Sequence, residues 1–468
     1  MHHPRGPGQG HRSAQSQGEN LTGRGLLVGL TAASVGVIYG YDLSSIAGAL
    51  HVISRDFDLT DEHKELVTTM VVIGQIGGAL GGGVLANAIG RQKSMVLILV
   101  GYALFALLGA MSVSVPMLLA ARLLLGVTIG VSVVVVPVYV AESAPAAVRG
   151  SLLAAYQLAT VSGIILGYVT GYLLAGSQGW RWMLGLAAVP ATLLLPLLLR
   201  MPDTARWYLL KGRVDDARRA LLRIEPEAAV DAELAEIAVA VREDRNTPGG
   251  GLSEMLRRPY LRATLFVVAL GFLIQITGIN AIIYYSPRLF KAMGFDGDFA
   301  LLALPALVQV AGLAAVGTSL FLVDRVGRRP ILLSGIAMMI VADAVLIAVF
   351  AEESHAPLLL GFGGVLLFIV GFSFGFGSLV WVFAGESFPS HLRSVGSSVM
   401  LTSNLIANAI IAGFFLTLLQ LLGGAGVFAV FGAFAVIAFG VVYRFAPETK
   451  GRQLEDIRHF WENGGRWP

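Results

Sequence analysis

The chain has 468 residues, 56% hydrophobic and only 13% charged, with a mean hydropathy of +0.74 and a net charge of +3. Soluble domains carry about 25% charged residues, so this composition could not cover the surfaces of two or three water-soluble domains, and a lipid bilayer is the implied solvent. The chain has no cysteine, which excludes disulfides, thiolate metal sites and thiol chemistry. So small a net charge gives no reason to expect a nucleic-acid partner.

In chain order, residues 1–25 are polar and read as a disordered, uncleaved cytoplasmic tail. Apolar stretches then recur, each long enough at 1.5 Å per residue to cross a ~30 Å hydrocarbon core. They give twelve spans, at 26–53, 66–86, 94–115, 117–141, 151–175, 181–199, 261–286, 299–323, 331–351, 357–383, 395–421 and 424–445. These are numbered 1 to 12 below. With a cytoplasmic N-terminus, 27 of the 33 Lys and Arg residues fall on the inner side. The positive-inside rule therefore places both termini in the cytoplasm.

A polar stretch, 201–260, divides the chain into an N-terminal half (26–200) and a C-terminal half (261–446), with a cytoplasmic tail at 447–468. Within it, 214–224 and 228–241 show helical apolar spacing and read as short amphipathic helices under the membrane. In span 2, Gly74, Gly77, Gly78, Gly81 and Gly82 are set three and four apart, which lets a neighbouring helix approach closely.

The two halves repeat one another at an offset of about 240 residues. Glu142-Ser-Ala-Pro with Arg149 matches Glu386-Ser-Phe-Pro with Arg393; Asn87 to Arg91 matches Asp324 to Arg328; Pro202-Asp-Thr matches Pro447-Glu-Thr. Each pair falls on the same cytoplasmic loop of its half. Two six-helix halves sharing a midplane site is the architecture of an alternating-access transporter.

The ordered set Gly40-Tyr-Asp42, Arg122, Pro137 with Glu142, Arg149-Gly150, Pro202 to Arg206, Gly278-Ile-Asn280, Asp324 to Arg329, Trp381 with Glu386, and Pro447 to Arg452 is specific. Through it the chain resembles the sugar porters of the major facilitator superfamily, which include proton–sugar symporters and glucose facilitators. The resemblance implies an all-α membrane protein of twelve transmembrane helices in two pseudo-symmetric halves, with short cytoplasmic helices between them. It implies transport of a monosaccharide coupled to protons across the cell membrane. A proton-independent facilitator and a polyol symporter stand as alternatives.

Asp42 lies within an apolar span, where a bare carboxylate is costly. At 1.5 Å per residue it sits about 16 Å, and Arg122 about 9 Å, below the outer edge, depths that let them meet. In proton-coupled relatives this Asp takes the transported proton; a permanent ion pair locking spans 1 and 4 is the alternative. By the same resemblance the sugar would be held by Gln157, Gln275, Asn280, Tyr284, Trp381, Asn404 and Asn408, since amides donate and accept in one plane. Gln275, Asn280 and Tyr284 are expected on one broad helix face. Interhelical hydrogen bonding is the competing role of each amide.

Two usual polar positions are apolar here, Ile274 in span 7 and Gly312 in span 8. Arg91, Glu142, Arg149, Asp324, Arg328, Glu386 and Arg393 read as a cytoplasmic gate, able to bridge the halves when the inner side closes. Arg206 and Trp207 are expected to tether the cytoplasmic helices to the first half or to anchor them on the membrane. The chain has no phosphate-binding Gly-x4-Gly-Lys-Ser/Thr loop and no metal-ligand spacing of His. It therefore reads as no enzyme, with no cofactor, working as a monomer in the bilayer.

Overall fold

In a computed structural model of the protein, the described residues are 23–143, 149–175, 179–224, 227–246, 252–258, 260–351, 358–388, 390–450, 452, 457, 459–461 and 463. Among them the fold is helical throughout. Nine helical runs are long and apolar enough to cross a membrane. Span 1 (Gly23–Asp56) and span 5 (Arg149–Leu173) add two more. The run 395–445 is two crossings, because Gly423 at φ +66 breaks the helix Ser390–Phe445 into spans 11 and 12. Twelve crossings result, at the positions the apolar pattern marked.

Small residues set the packing. A Cβ at Gly40 would lie 1.8 Å from the Thr160 carbonyl oxygen, so spans 1 and 5 touch backbone to backbone. Gly74, Gly78 and Gly82 seat span 2 on span 4 in the same way, whereas Gly77 and Gly81 face open space. The small-residue stripe is thus a packing face on one side only.

The same partnerships recur in the second half. Ser403 of span 11 donates to the Val268 carbonyl of span 7 at 2.8 Å, Gly312 of span 8 lies against Ile369 of span 10, and Gly424 of span 12 lies against Phe350 of span 9. With Gly185 of span 6 lying against Ala110 of span 3, the pairing 1–5, 2–4 and 3–6 returns as 7–11, 8–10 and 9–12.

Between the halves run Ala205–Leu210, Val214–Leu221, Glu227–Asn246 and Leu252–Met255. The first three share a small apolar core of Ala205, Ala217, Leu221 and Val230. Trp207 is buried, and its indole N–H donates to the Asn87 carbonyl at 3.1 Å, so the tether runs to the first half. The end of the bundle that carries these helices is called the basic end below, and the opposite one the far end.

Candidate functional site

Asp42 and Arg122 meet in the interior of the first half. Arg122 Nη1 donates to Asp42 Oδ1 at 2.6 Å, with the two residues 2% and 3% exposed. Arg122 Nε also reaches the Val67 carbonyl of span 2 at 3.5 Å, which ties spans 1, 2 and 4 together. Asp42 Oδ2 is buried and has no hydrogen-bond partner among the described residues. One carboxylate oxygen is therefore locked by a charge-assisted bond, and the other stays free as an acceptor.

Span 7 is not one helix. Gly278 takes φ +99 between Leu261–Ile276 and Ile279–Ala292, and the Phe431 ring of span 12 fills the place its Cβ would occupy. Only glycine combines that dihedral with that approach. Gln275 and Asn280 thus sit on separate helices flanking the break, which corrects the expectation that they share one face. Both still reach span 11. Gln275 Nε2 donates to Asn404 Oδ1 at 3.4 Å and Asn280 Nδ2 to Asn408 Oδ1 at 2.8 Å. Asn408 Nδ2 in turn donates to the Tyr284 hydroxyl at 3.3 Å.

Five of the seven candidates for the sugar site form this amide–phenol cluster, with Gln275 Oε1 buried and unpartnered among the described residues. Gln157 is half-buried on span 5 and Trp381 is 41% exposed on span 10. Neither hydrogen-bonds to the cluster among the described residues.

The charged groups at the basic end pair within each half. Arg91 binds Glu142 through Nε at 3.0 Å and Nη2 at 3.3 Å, and Thr204 Oγ1 donates to the same carboxylate at 2.6 Å. Arg328 pairs with Asp324 at 3.1 Å along its own turn. Glu386 keeps Oε2 buried and unpartnered among the described residues. The side chains of Arg149 and Arg393 lie outside the described residues.

Two carboxylates that the sequence reading left without a role organise this end. Asp203 accepts from the backbone N–H of Arg91 and of Thr204, each at 2.9 Å. Burial pushes the Asp203 carboxyl upward, and those backbone donors pull it back down. In the second half, Glu448 accepts from the N–H of Arg328 at 3.0 Å and of Arg329 at 3.1 Å. Their signal was the repeated Pro-acid-Thr motif.

The far end joins the two halves. Glu65 of span 2 accepts from the backbone N–H and the hydroxyl of Thr417 in span 11, both at 2.8 Å. Asp61 accepts from Gln420 at 2.5 Å and lies 3.8 Å from Arg288. Tyr168 of span 5 donates to the Ile283 carbonyl of span 7 at 2.6 Å and accepts from Ser286 at 2.9 Å. Spans 2 and 5 are thus fastened to spans 7 and 11 above the amide cluster. Sequence reasoning missed this network because its donors are single polar residues at span ends.

The family model described as "Sugar (and other) transporter" matches residues 28–461. The chain is 34% identical over 448 residues to the galactose–proton symporter of Escherichia coli, covering 95% of this chain and 96% of that one. It is 31% identical to polyol transporter 5 of Arabidopsis thaliana, over 94% and 86% of the two chains. The structure of the major facilitator proton:xylose symporter XylE bound to 6-bromo-6-deoxy-D-glucose superposes with a TM-score of 0.80 at 26% identity, covering 95% of this chain and all of that one. With its twelve crossings, its repeated half and its family motifs in place, the chain belongs to the sugar transporter family of the major facilitator superfamily, a family of multi-pass membrane transporters.

Proposed function

We propose that the protein is a proton-coupled symporter of a monosaccharide in the cell membrane, working by alternating access as a monomer. The observation that carries the reading is the buried Asp42–Arg122 pair with Asp42 Oδ2 free. A carboxylate inside a span is costly, and the Arg122 guanidinium held at 2.6 Å offsets that cost. A movement that separates the two leaves Asp42 to take a proton, so proton uptake and helix movement are linked. Both coupling residues lie in the first half, whereas six of the seven sugar-site candidates lie in the second. Rocking of one half against the other therefore acts on both ligands.

In this reading the basic end is cytoplasmic, both termini are inside, and the far-end network closes the outer side. Substrate then meets Gln275, Asn280, Tyr284, Asn404 and Asn408 from the second half, Gln157 from the first, and Trp381 as an aromatic face for C–H groups. When the inner side closes, Arg91, Glu142, Arg149, Asp324, Arg328, Glu386 and Arg393 pair across the interface, and Arg91, Glu142, Asp324 and Arg328 give up the partners they hold within each half to do so. The halves are 26–200 and 261–446, with 201–260 as the cytoplasmic helical linker and 1–25 and 447–468 as tails. A polyol in place of a sugar is the second reading, favoured by Ile274 and Gly312 at two positions where relatives carry amides.

The test is uptake of labelled sugars and polyols into proteoliposomes, with and without an inside-alkaline gradient. Accumulation above equilibrium that needs the gradient and is lost in Asp42→Asn is expected. Gradient-independent equilibration that survives Asp42→Asn would make the protein a facilitator and the ion pair structural.

A further inference from the structure

Gln75 has no part in any network described so far. It lies on span 2, is 1% exposed, and neither Oε1 nor Nε2 has a hydrogen-bond partner among the described residues. Buried amides are almost always paired, so an orphan of this kind calls for an explanation.

Its surroundings fix its place. The backbone oxygen of Gln75 packs against Gly130 of span 4. Thr68, seven residues earlier and so on nearly the same helix face, lies beside the Tyr285 hydroxyl of span 7. That face of span 2 is turned toward the second half. The register with span 11 gives the depth. Glu65 meets Thr417, and Thr69 meets Gly413, four residues on in one chain and four back in the other. Extended by a turn and a half of antiparallel helix, this register sets Gln75 level with Asn404 and Asn408. The other orphaned amide atom at that level is Gln275 Oε1, from the opposite half.

We propose that Gln75 is a substrate-binding residue that sets specificity. It donates through Nε2 and accepts through Oε1 to neighbouring hydroxyls of the sugar or polyol. The first half thereby supplies amide contacts that Ile274 and Gly312 remove from the second. A ligand held between Gln75 and the span 11 amides also spans the interface that must move. The inference rests on the transport reading above. If Gln75 is only packing, a leucine there is neutral or stabilising, because an unpaired polar group is replaced by an apolar one of similar length.

The experiment is initial-rate uptake by the full chain in proteoliposomes, for wild type, Gln75→Leu and Gln75→Asn. The panel holds hexoses, pentoses, inositol, linear polyols and the monodeoxy analogues of the best substrate. Gln75→Leu is expected to raise KM by about tenfold or more, the scale of one lost hydrogen bond. The penalty that wild type shows for removing one particular hydroxyl should vanish in Gln75→Leu, since the partner of that hydroxyl is gone. Unchanged KM values with an unchanged ranking of the deoxy analogues overturn the inference while leaving transport intact. Should Gln75→Leu fail to reach the membrane, Gln75→Asn, which keeps the amide but shortens its reach, decides by the same two readouts. A wild type that takes up no member of the panel overturns the transport reading and this inference with it.

Discussion

The hydroxyl of Thr417 is the most direct handle on which side of the transporter is closed. Glu65 is 5% exposed and its carboxylate is held by two donors, the Thr417 N–H and hydroxyl, each at 2.8 Å. Thr417→Val keeps the shape and the backbone donor but removes one bond to a buried charge. A hydrogen bond to a charged group contributes about 1.5–3 kcal/mol net, and the loss falls on the far-end-closed state alone, because an opened far end gives Glu65 water instead. The ratio of closed to open should therefore drop roughly 10- to 150-fold. The chain has no cysteine, so cysteines placed at the exposed Glu62 and Leu421 can be spin-labelled without background. Distance measurements should find one short population in wild type and a second, longer one in Thr417→Val. Thr417→Ser, which retains the hydroxyl, should match wild type. Identical distance distributions in Thr417→Val and wild type would refute the claim that this bond holds the far end shut.

Gly90→Ala should lower the melting temperature in detergent, because Gly90 has φ +106 and an added Cβ would lie 2.0 Å from Asp203 Oδ2. Strain of that kind costs about 1–3 kcal/mol, and Gly327→Ala, at φ +112 against Glu448, should behave alike in the second half. Asp343→Val should raise the melting temperature. Asp343 is 1% exposed in span 9, opposite Gly432, with both carboxylate oxygens unpartnered among the described residues. Removing such a group recovers about 1–3 kcal/mol of desolvation cost, and an unchanged or lower melting temperature would count against it.

What was legible in the sequence is what periodicity and repetition can carry. Apolar length marked the crossings because every backbone group in lipid must be satisfied within its own helix. Asp42 and Arg122 stood out because charges inside spans are rare, and rise per residue was enough to put them at compatible depths. The break at Gly278 was not legible as a break. The motif Gly278-Ile-Asn280 marked the place, but the ring that fills the Cβ position there comes from Phe431, more than 150 residues away. The clustering of five amide and phenol side chains likewise depends on span 11 packing against span 7, and no spacing along one helix reports that. Asp343 and Gln75 were visible as polar letters in apolar runs. Their lack of partners is a property of the assembled fold.

The Pro-acid-Thr repeat gains a physical meaning from the two basic-end carboxylates. Each reaches back across its half to the first N–H groups of the helix that begins span 3 or span 9. Those groups have no partner inside the helix, and a negative charge there also suits the helix dipole. A carboxylate from after the sixth crossing thus caps a helix that starts after the second, closing each half on itself. The close approach demands a glycine at the turn, and both halves have one at positive φ, Gly90 and Gly327. Charges bound so firmly within a half are poor material for a permanent clasp between halves. Glu142 is already shared by Arg91 and Thr204, and in the proposed cycle it meets the other half by changing partners. That exchange is between bonds of similar kind, so its net free energy is small compared with either bond alone. A carrier that must pass through both conformations in every cycle needs such near-balance, and two self-capped halves moving as bodies provide it.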